Sequence, residues 1–159
     1  MIAIGIDTGS NTAVAVWDTE EQVIISLTTY RGAMYGALRQ VEQVAAEAEG
    51  RVLVRFEDAR MRRWVPWYKD ERRNRGRAQG AGYVKAHCQI WEDFLRDLSA
   101  RNPRVDVKAI APGRNTTKLS AEAFNRITGW QGKSNEHERD AAMLVFGIES
   151  RDIDAVRRT

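Results

Sequence analysis

Met1-Ile-Ala-Ile-Gly-Ile-Asp7-Thr-Gly-Ser10 is an apolar run with a carboxylate where a buried strand would hold none, and its reading as a strand that ends on a working acid decides the fold. A buried carboxylate without a partner is costly, so a metal, a cation or a proton has to neutralise it. The run Val52-Leu-Val-Arg-Phe56 repeats the design, because it too is short, β-rich and closed by an acid, Glu57. A third segment, His137-Glu-Arg-Asp140-Ala-Ala-Met-Leu-Val-Phe146, opens an apolar helix, and its i, i+3 spacing places His137 and Asp140 on one face. Asp7, Glu57, His137 and Asp140 together read as a two-metal site of the kind that hydrolyses phosphodiesters.

Working outward, residues 2–7, about 12–18 and about 22–30 read as three strands joined by connections short enough to make antiparallel hairpins. Ala33, Met34, Ala37, Leu38, Val41, Val44, Ala45 and Ala48 keep helical spacing, and Gly50 ends that helix. Residues 52–56 are continuous and apolar enough for a central strand. A second long helix is predicted from Ala78 to Arg101, with Ile90, Trp91, Phe94, Leu95 and Leu98 as its apolar stripe and Pro103 just beyond its end. Val105–Ala111 follows as a fifth strand. Ser120 caps a short helix to Thr128, and Asn135 caps the last helix, which runs through Phe146. The order βββαβαβαα predicts an α/β fold with a mixed five-stranded sheet, three antiparallel strands and then βαβ units, flanked by helices.

The chain has 159 residues, which suits one domain with a real core. Residues 1–150 are expected to form it, with a basic aromatic loop at 58–77 and a polar tail at 151–159 that frays. No stretch approaches the ~18 apolar residues of a membrane span, and no basic-then-apolar leader opens the chain, so a cytoplasmic location without a membrane partner is expected. The single cysteine, Cys88, forms no internal disulfide and reads as a small buried apolar side chain.

The net charge of +3 is unevenly placed, since residues 60–77 hold eight Arg or Lys against Asp70 and Glu71, a local excess of +6. Such concentration is the footprint of a polyanion-binding surface. Arg60, Arg62, Arg63, Lys69, Arg72, Arg73, Arg75 and Arg77 are the expected phosphate contacts there, and the interleaved Trp64, Trp67 and Tyr68 are expected to stack on bases. The plainer alternative is a solvated charged loop whose aromatics pack on the body of the domain.

The element order and the placing of the acids resemble the ribonuclease H-like superfamily, and within it the RuvC family of Holliday-junction resolvases, over nearly the whole chain. Compact members from phage-like genomes are the most similar. Ile4-Gly-Ile-Asp7-Thr-Gly-Ser10 is similar to the family's first-strand motif, whose Asp binds metal; Phe56-Glu57 matches the glutamate closing the fourth strand. Gln79-Gly-Ala-Gly82 resembles the small-residue start of the next helix, and His137-Glu-Arg-Asp140-Ala-Ala the final helix. Lys118 stands where the family carries a lysine near the scissile phosphate. Arg60 occupies the position of a phenylalanine that wedges into the junction, so Trp64 or Trp67 would take over that stacking. The resemblance implies a metal-dependent endonuclease acting on four-way DNA junctions, a homodimer, and a bacterial cytoplasm with a phage or prophage gene as the setting.

On that reading, Mg²⁺ or Mn²⁺, two ions per site about 4 Å apart, would activate water and stabilise the leaving 3′ oxygen. Asp7 would bridge both ions, Glu57 and Asp140 would hold one each, and His137 would ligate or hydrogen-bond on the nucleophile's side. The imidazole tilts the preference toward manganese. Lys118, with Arg114 nearby, would contact the phosphate. Ordinary readings exist for each residue singly: Asp7 as a turn former, Glu57 as an ion pair with Arg55 or Arg60, Asp140 and His137 as first-turn helix residues, Lys118 as a surface lysine. Asp58, Glu136 and Glu138 are substitutes if the register is off by one. Competing functions are a nuclease of the same fold acting on RNA–DNA hybrids or flaps, and a non-catalytic junction-binding protein. A sugar-kinase-like phosphotransferase would need a second phosphate turn and about twice the length, so no nucleotide cofactor is expected.

Overall fold

Strands β1 (Ile2–Asp7), β2 (Asn11–Asp18) and β3 (Val23–Arg31) pair antiparallel in chain order, because their few-residue connections leave no room for a crossover. Helix α1 (Met34–Glu47) then carries the chain across to β4 (Val52–Glu57), which pairs parallel with β1, and α2 (Glu71–Arg101) carries it to β5 (Val105–Ile110), parallel with β4. The sheet order is β3-β2-β1-β4-β5. Helices α3 (Ala121–Thr128), α4 (Glu136–Met143) and α5 (Ser150–Ala155) complete the chain. The structure, a computed structural model, describes residues 1–62, 71–113 and 118–155, with the backbone alone for residues 71–79. Its α/β architecture fits the ribonuclease H-like fold that the resemblance implies.

Strand alternation divides the core into two faces. Ile4, Ile6, Val14, Val52, Val54, Phe56 and Val105 meet Ala37, Val41 and Ala45 of α1 and Trp91, Leu95 and Leu98 of α2. On the opposite face Ala3, Trp17 and Leu53 pack with Val145, Ile148 and Ile153, while Ala13 and Ala15 pack with Phe124, Ala141 and Ala142. In β1 the large residues thus face α1 and α2. The small ones, Ala3 and Gly5, face α4 together with Asp7.

Three boundaries differ from the sequence expectation. Helix α2 begins at Glu71, so Arg72, Arg73, Arg75 and Arg77 lie on a helix and not in a loop. Apolar spacing marked only the part of α2 that packs on the sheet; the turns before it, rich in good helix formers, carry no such stripe. The last helix stops at Met143 and passes into turns that end at Gly147, whose φ of 75° suits glycine. Residues 151–155 of the expected tail belong to α5, anchored by buried Ile153 and by Asp154, which accepts from Arg51 at 2.9 Å. Among the described residues no helix is long and apolar enough to cross a membrane.

Candidate active site

Asp7 and Glu57 are the last residues of two neighbouring parallel strands, so both stand on the same edge of the sheet and on the same face. Thr8 fixes the juncture: its Oγ1 donates to the Glu57 carbonyl at 2.7 Å and lies 3.3 Å from Cys88 Sγ, buried on α2 as the sequence predicts. Helix α4 brings the other pair. Its start is held by a capping box, in which Asn135 accepts from the Glu138 amide and Glu138 from the Asn135 amide. Asn135 and Glu138 both also bond Thr29 of β3, which ties the start of α4 to the sheet.

What lets α4 come so close is Gly5. A Cβ there would stand 2.0 Å from the Ala141 carbonyl oxygen, so only glycine allows the helix to lie on β1. With that approach His137 Nδ1 reaches Asp7 Oδ2 at 2.8 Å, across 130 residues of chain. Lys118 Nζ lies 3.5 Å from Asp140 Oδ2 and 3.3 Å from Glu136 Oε2. Arg139 sets that lysine's segment against α4 by donating to the Leu119 carbonyl at 2.8 Å and the Ser134 carbonyl at 2.7 Å.

The electrostatics follow from three carboxylates sharing one edge. Burial pushes the Asp7 carboxyl above its ordinary range and the charge of Asp140 adds to this, against the hydrogen bond and charge of His137. Burial also raises Glu57, reinforced by Asp7 and Asp140 and opposed by Arg62 and Lys118. Lys118 is pushed up despite its partial burial, because the hydrogen bond to Glu136 and the charges of Asp140 and Glu136 outweigh desolvation. Among the described residues the Glu57 carboxylate has no hydrogen-bond or ion-pair partner. Neither cation proposed for it supplies one: Arg55 donates to the Leu144 carbonyl, and Arg60 turns elsewhere.

Arg60 has a different task from the expected DNA contact. Its guanidinium grips Asp58 through two parallel bonds of 2.8 and 2.7 Å and also donates to Glu92 at 2.9 Å and Gln89 at 2.6 Å. It thereby clamps the single 3-10 turn Ala59–Met61 onto α2, and Asp58, being occupied, is no substitute ligand. Glu138 is likewise committed to the cap. Glu136 is a site neighbour that the sequence ranked only as a substitute. Gly5, Thr8 and Arg139 were not singled out at all; the signal for Gly5 was a glycine inside an apolar strand. Arg62 is exposed and acts on Glu57 through space. Arg63, Trp64, Trp67, Tyr68, Lys69 and Arg114 lie outside the described residues, as do the side chains of Arg72, Arg73, Arg75 and Arg77.

Among the described residues no three acidic, imidazole or thiol groups converge closely enough to chelate one cation. Asp7 is hydrogen-bonded to His137, and Lys118 stands beside Asp140. The donor chemistry nevertheless suits a hard divalent cation, since three carboxylates and one imidazole face one edge and two of the carboxyls are raised by burial and mutual repulsion.

No family model matches the chain, and no curated protein matches it. Among solved structures the chain is similar to the resolvase of Fowlpox virus, crystallised with its substrate Holliday junction DNA, at 15% identity and a TM-score of 0.49 over 89% of this chain and 94% of that one.

Proposed function

We propose that this chain is a structure-selective endodeoxyribonuclease that cleaves four-way or other branched DNA by metal-dependent hydrolysis. The observation that carries the reading is that Asp7, in contact with His137, lies within electrostatic reach of Glu57 and Asp140 at one sheet edge, where burial and like charge disfavour free carboxylates. A cation relieves both penalties. Asp7, Glu57, His137 and Asp140 would hold Mg²⁺ or Mn²⁺, two ions per site, which when bound supply an activated water and charge for the leaving 3′ oxygen. The chain's own groups do the rest. Lys118, cationic well above neutral pH, contacts the phosphate whose P–O3′ bond breaks, offsetting the charge that builds on its oxygens. Asp7 orients the His137 ring by holding Nδ1, while Nε2, 4.0 Å from Glu136 Oε1 and beyond hydrogen-bond reach of it, is the nitrogen that would meet the incoming water or the metal. The basic segment 60–77, Arg60 excepted, with Arg114, is the surface that holds the DNA.

The test is a cleavage assay on four-way junction, three-way junction, RNA–DNA hybrid and duplex, with Mg²⁺, with Mn²⁺ and with chelator. Cleavage of branched DNA that stops in chelator supports the reading. Cleavage confined to hybrid overturns the substrate, and junction binding without any cleavage overturns the enzyme.

A further inference from the structure

The face that carries Asp7 and Glu57 is covered unevenly, since Leu53 of β4 lies under Val145, Ile148 and Ile153 whereas Lys108 of β5 is exposed. Helix α4 packs over β1, β2 and β3. On β4 and β5 the same face continues in rows set by the register: Leu53 beside Asp106, then Arg55 beside Lys108, then Glu57 beside Ile110. The Arg55–Lys108 row therefore directly precedes the row of the active-site glutamate, about 6.6 Å back along the strands. Lys108 is exposed and makes no ion pair among the described residues, and Arg55 is half-buried. The Arg55 guanidinium donates to the Leu144 carbonyl, just past α4, at 3.2 Å, has no carboxylate in contact among the described residues, and keeps a buried Nε without a partner. Asp106, the acid of the neighbouring row, is paired with Arg51, as is Asp154. Asp152 acts on Arg55 only through space. Two adjacent cations without contacting acids, on the less covered part of the face beside three carboxylates, are matched by an anionic chain that runs up to the site.

We infer that Arg55 and Lys108 form a phosphate-binding strip on the less covered part of the site face, which seats the DNA strand flanking the cleaved bond. This rests on the nuclease reading for its ligand. The distance from the strip to Glu57 is about the axial rise of two nucleotides on one strand, so the strip takes backbone phosphates close to the scissile one. A planar guanidinium held at Nη1 by the Leu144 carbonyl offers its other terminal nitrogen in a fixed direction, while Lys108 adds a mobile point charge. Together they give the strand its direction across the site.

Binding of the full chain to a fluorescent four-way junction and to duplex is measured in chelator over roughly 50 to 200 mM salt. Lys108→Gln should reduce the slope of log affinity against log salt by about one, and Arg55→Gln with Lys108→Gln by about two, on both DNAs. Arg39→Gln, an exposed change on α1, should leave the slope alone. Because Lys108 is exposed, its single variant keeps the fold and reads the strip even if the double variant melts early. Unchanged slopes for Lys108→Gln, or for a double variant that folds, overturn the strip while leaving the nuclease reading to its cleavage assay. Reduced slopes in a protein that cleaves no DNA support the strip and overturn the nuclease; absence of DNA binding overturns both.

Discussion

Ionisation of Asp7 and Glu57 works against the fold, because each is raised chiefly by burial and then by its acidic neighbours. A carboxyl raised on folding contributes stability that is fully present below its unfolded value and is lost as pH rises through the folded one. In chelator, Asp7→Asn should therefore melt higher than the unsubstituted chain near neutral pH, and the gap should close as pH falls toward about 4. Added Mn²⁺ should raise the melting point of the unsubstituted chain, through a stabilisation of about 2.7 kcal/mol at a hundred times the dissociation constant, and leave Asp7→Asn unmoved. Cleavage by Asp7→Asn should drop at least about a hundredfold. Wild-type cleavage by this variant removes the site. Asp58 has the opposite sign: the Arg60 hydrogen bonds hold it below its ordinary value, so its contribution is present above that value and is lost as pH falls through the lowered one. Arg60→Gln strands a carboxylate whose side chain is 6% exposed, and urea unfolding at neutral pH should show a loss of about 2–3 kcal/mol that shrinks in acid.

At the scale of elements, the site depends on how near α4 lies to β1. Gly5→Ala puts a methyl group against the Ala141 carbonyl oxygen, and either strand or helix has to yield. The expected result is a stability loss of about 3 kcal/mol, with cleavage falling further than the lost fold accounts for, because His137 and Asp140 move away from Asp7. Equal kcat in a folded Gly5→Ala protein would show that the close approach is a matter of packing alone. The N-terminal turns of α2 form the other decisive element. Neutralising Arg72, Arg73 and Arg75 together should flatten the salt dependence of DNA binding by about three on junction and duplex alike, since phosphate contacts release counterions irrespective of shape. A fall confined to the junction would instead give those arginines a part in recognising the branch.

For the whole molecule the open question is symmetry. Paired cuts across a four-way junction call for two sites related by a twofold axis, and one domain supplies one site. Much of the apolar stripe of α2 is used within the fold: Trp91 and Leu95 are fully buried and Phe94 packs beside them. Among its described side chains α2 exposes the large apolar Tyr83, whose ring lies tilted 4.3 Å from that of His87, and Ile90, each about half exposed. Gly80 and Gly82 border open space, which permits another backbone to approach. A dimer through this face should sediment as such at micromolar concentration and become a monomer in Tyr83→Arg with Ile90→Arg. A monomer with and without junction DNA removes the dimer and the paired-incision mechanism with it.

The sequence by itself determined the elements and the acids, because both are written in short windows. Short apolar runs at residues 2–7 and 12–18 mark buried strands, helical spacing marks α1, and an acid closing an apolar strand is out of place in a core. Asn135 and Ser120 were legible as caps for the same local reason. The tertiary structure alone decided which charges meet. His137 meets Asp7 across 130 residues, and the contact depends on the absence of a side chain at Gly5. Arg60 lay in a run of like charges that read uniformly as DNA contacts; packing of the 3-10 turn on α2 set it among Asp58, Gln89 and Glu92, while Arg55, an ordinary strand residue in the sequence, came to lie beside Lys108. Periodicity reports how far each residue is buried, but a charge takes its role from the partner that the folded chain brings within a few ångströms, and for His137 with Asp7 or Arg60 with Glu92 no local window contains that partner.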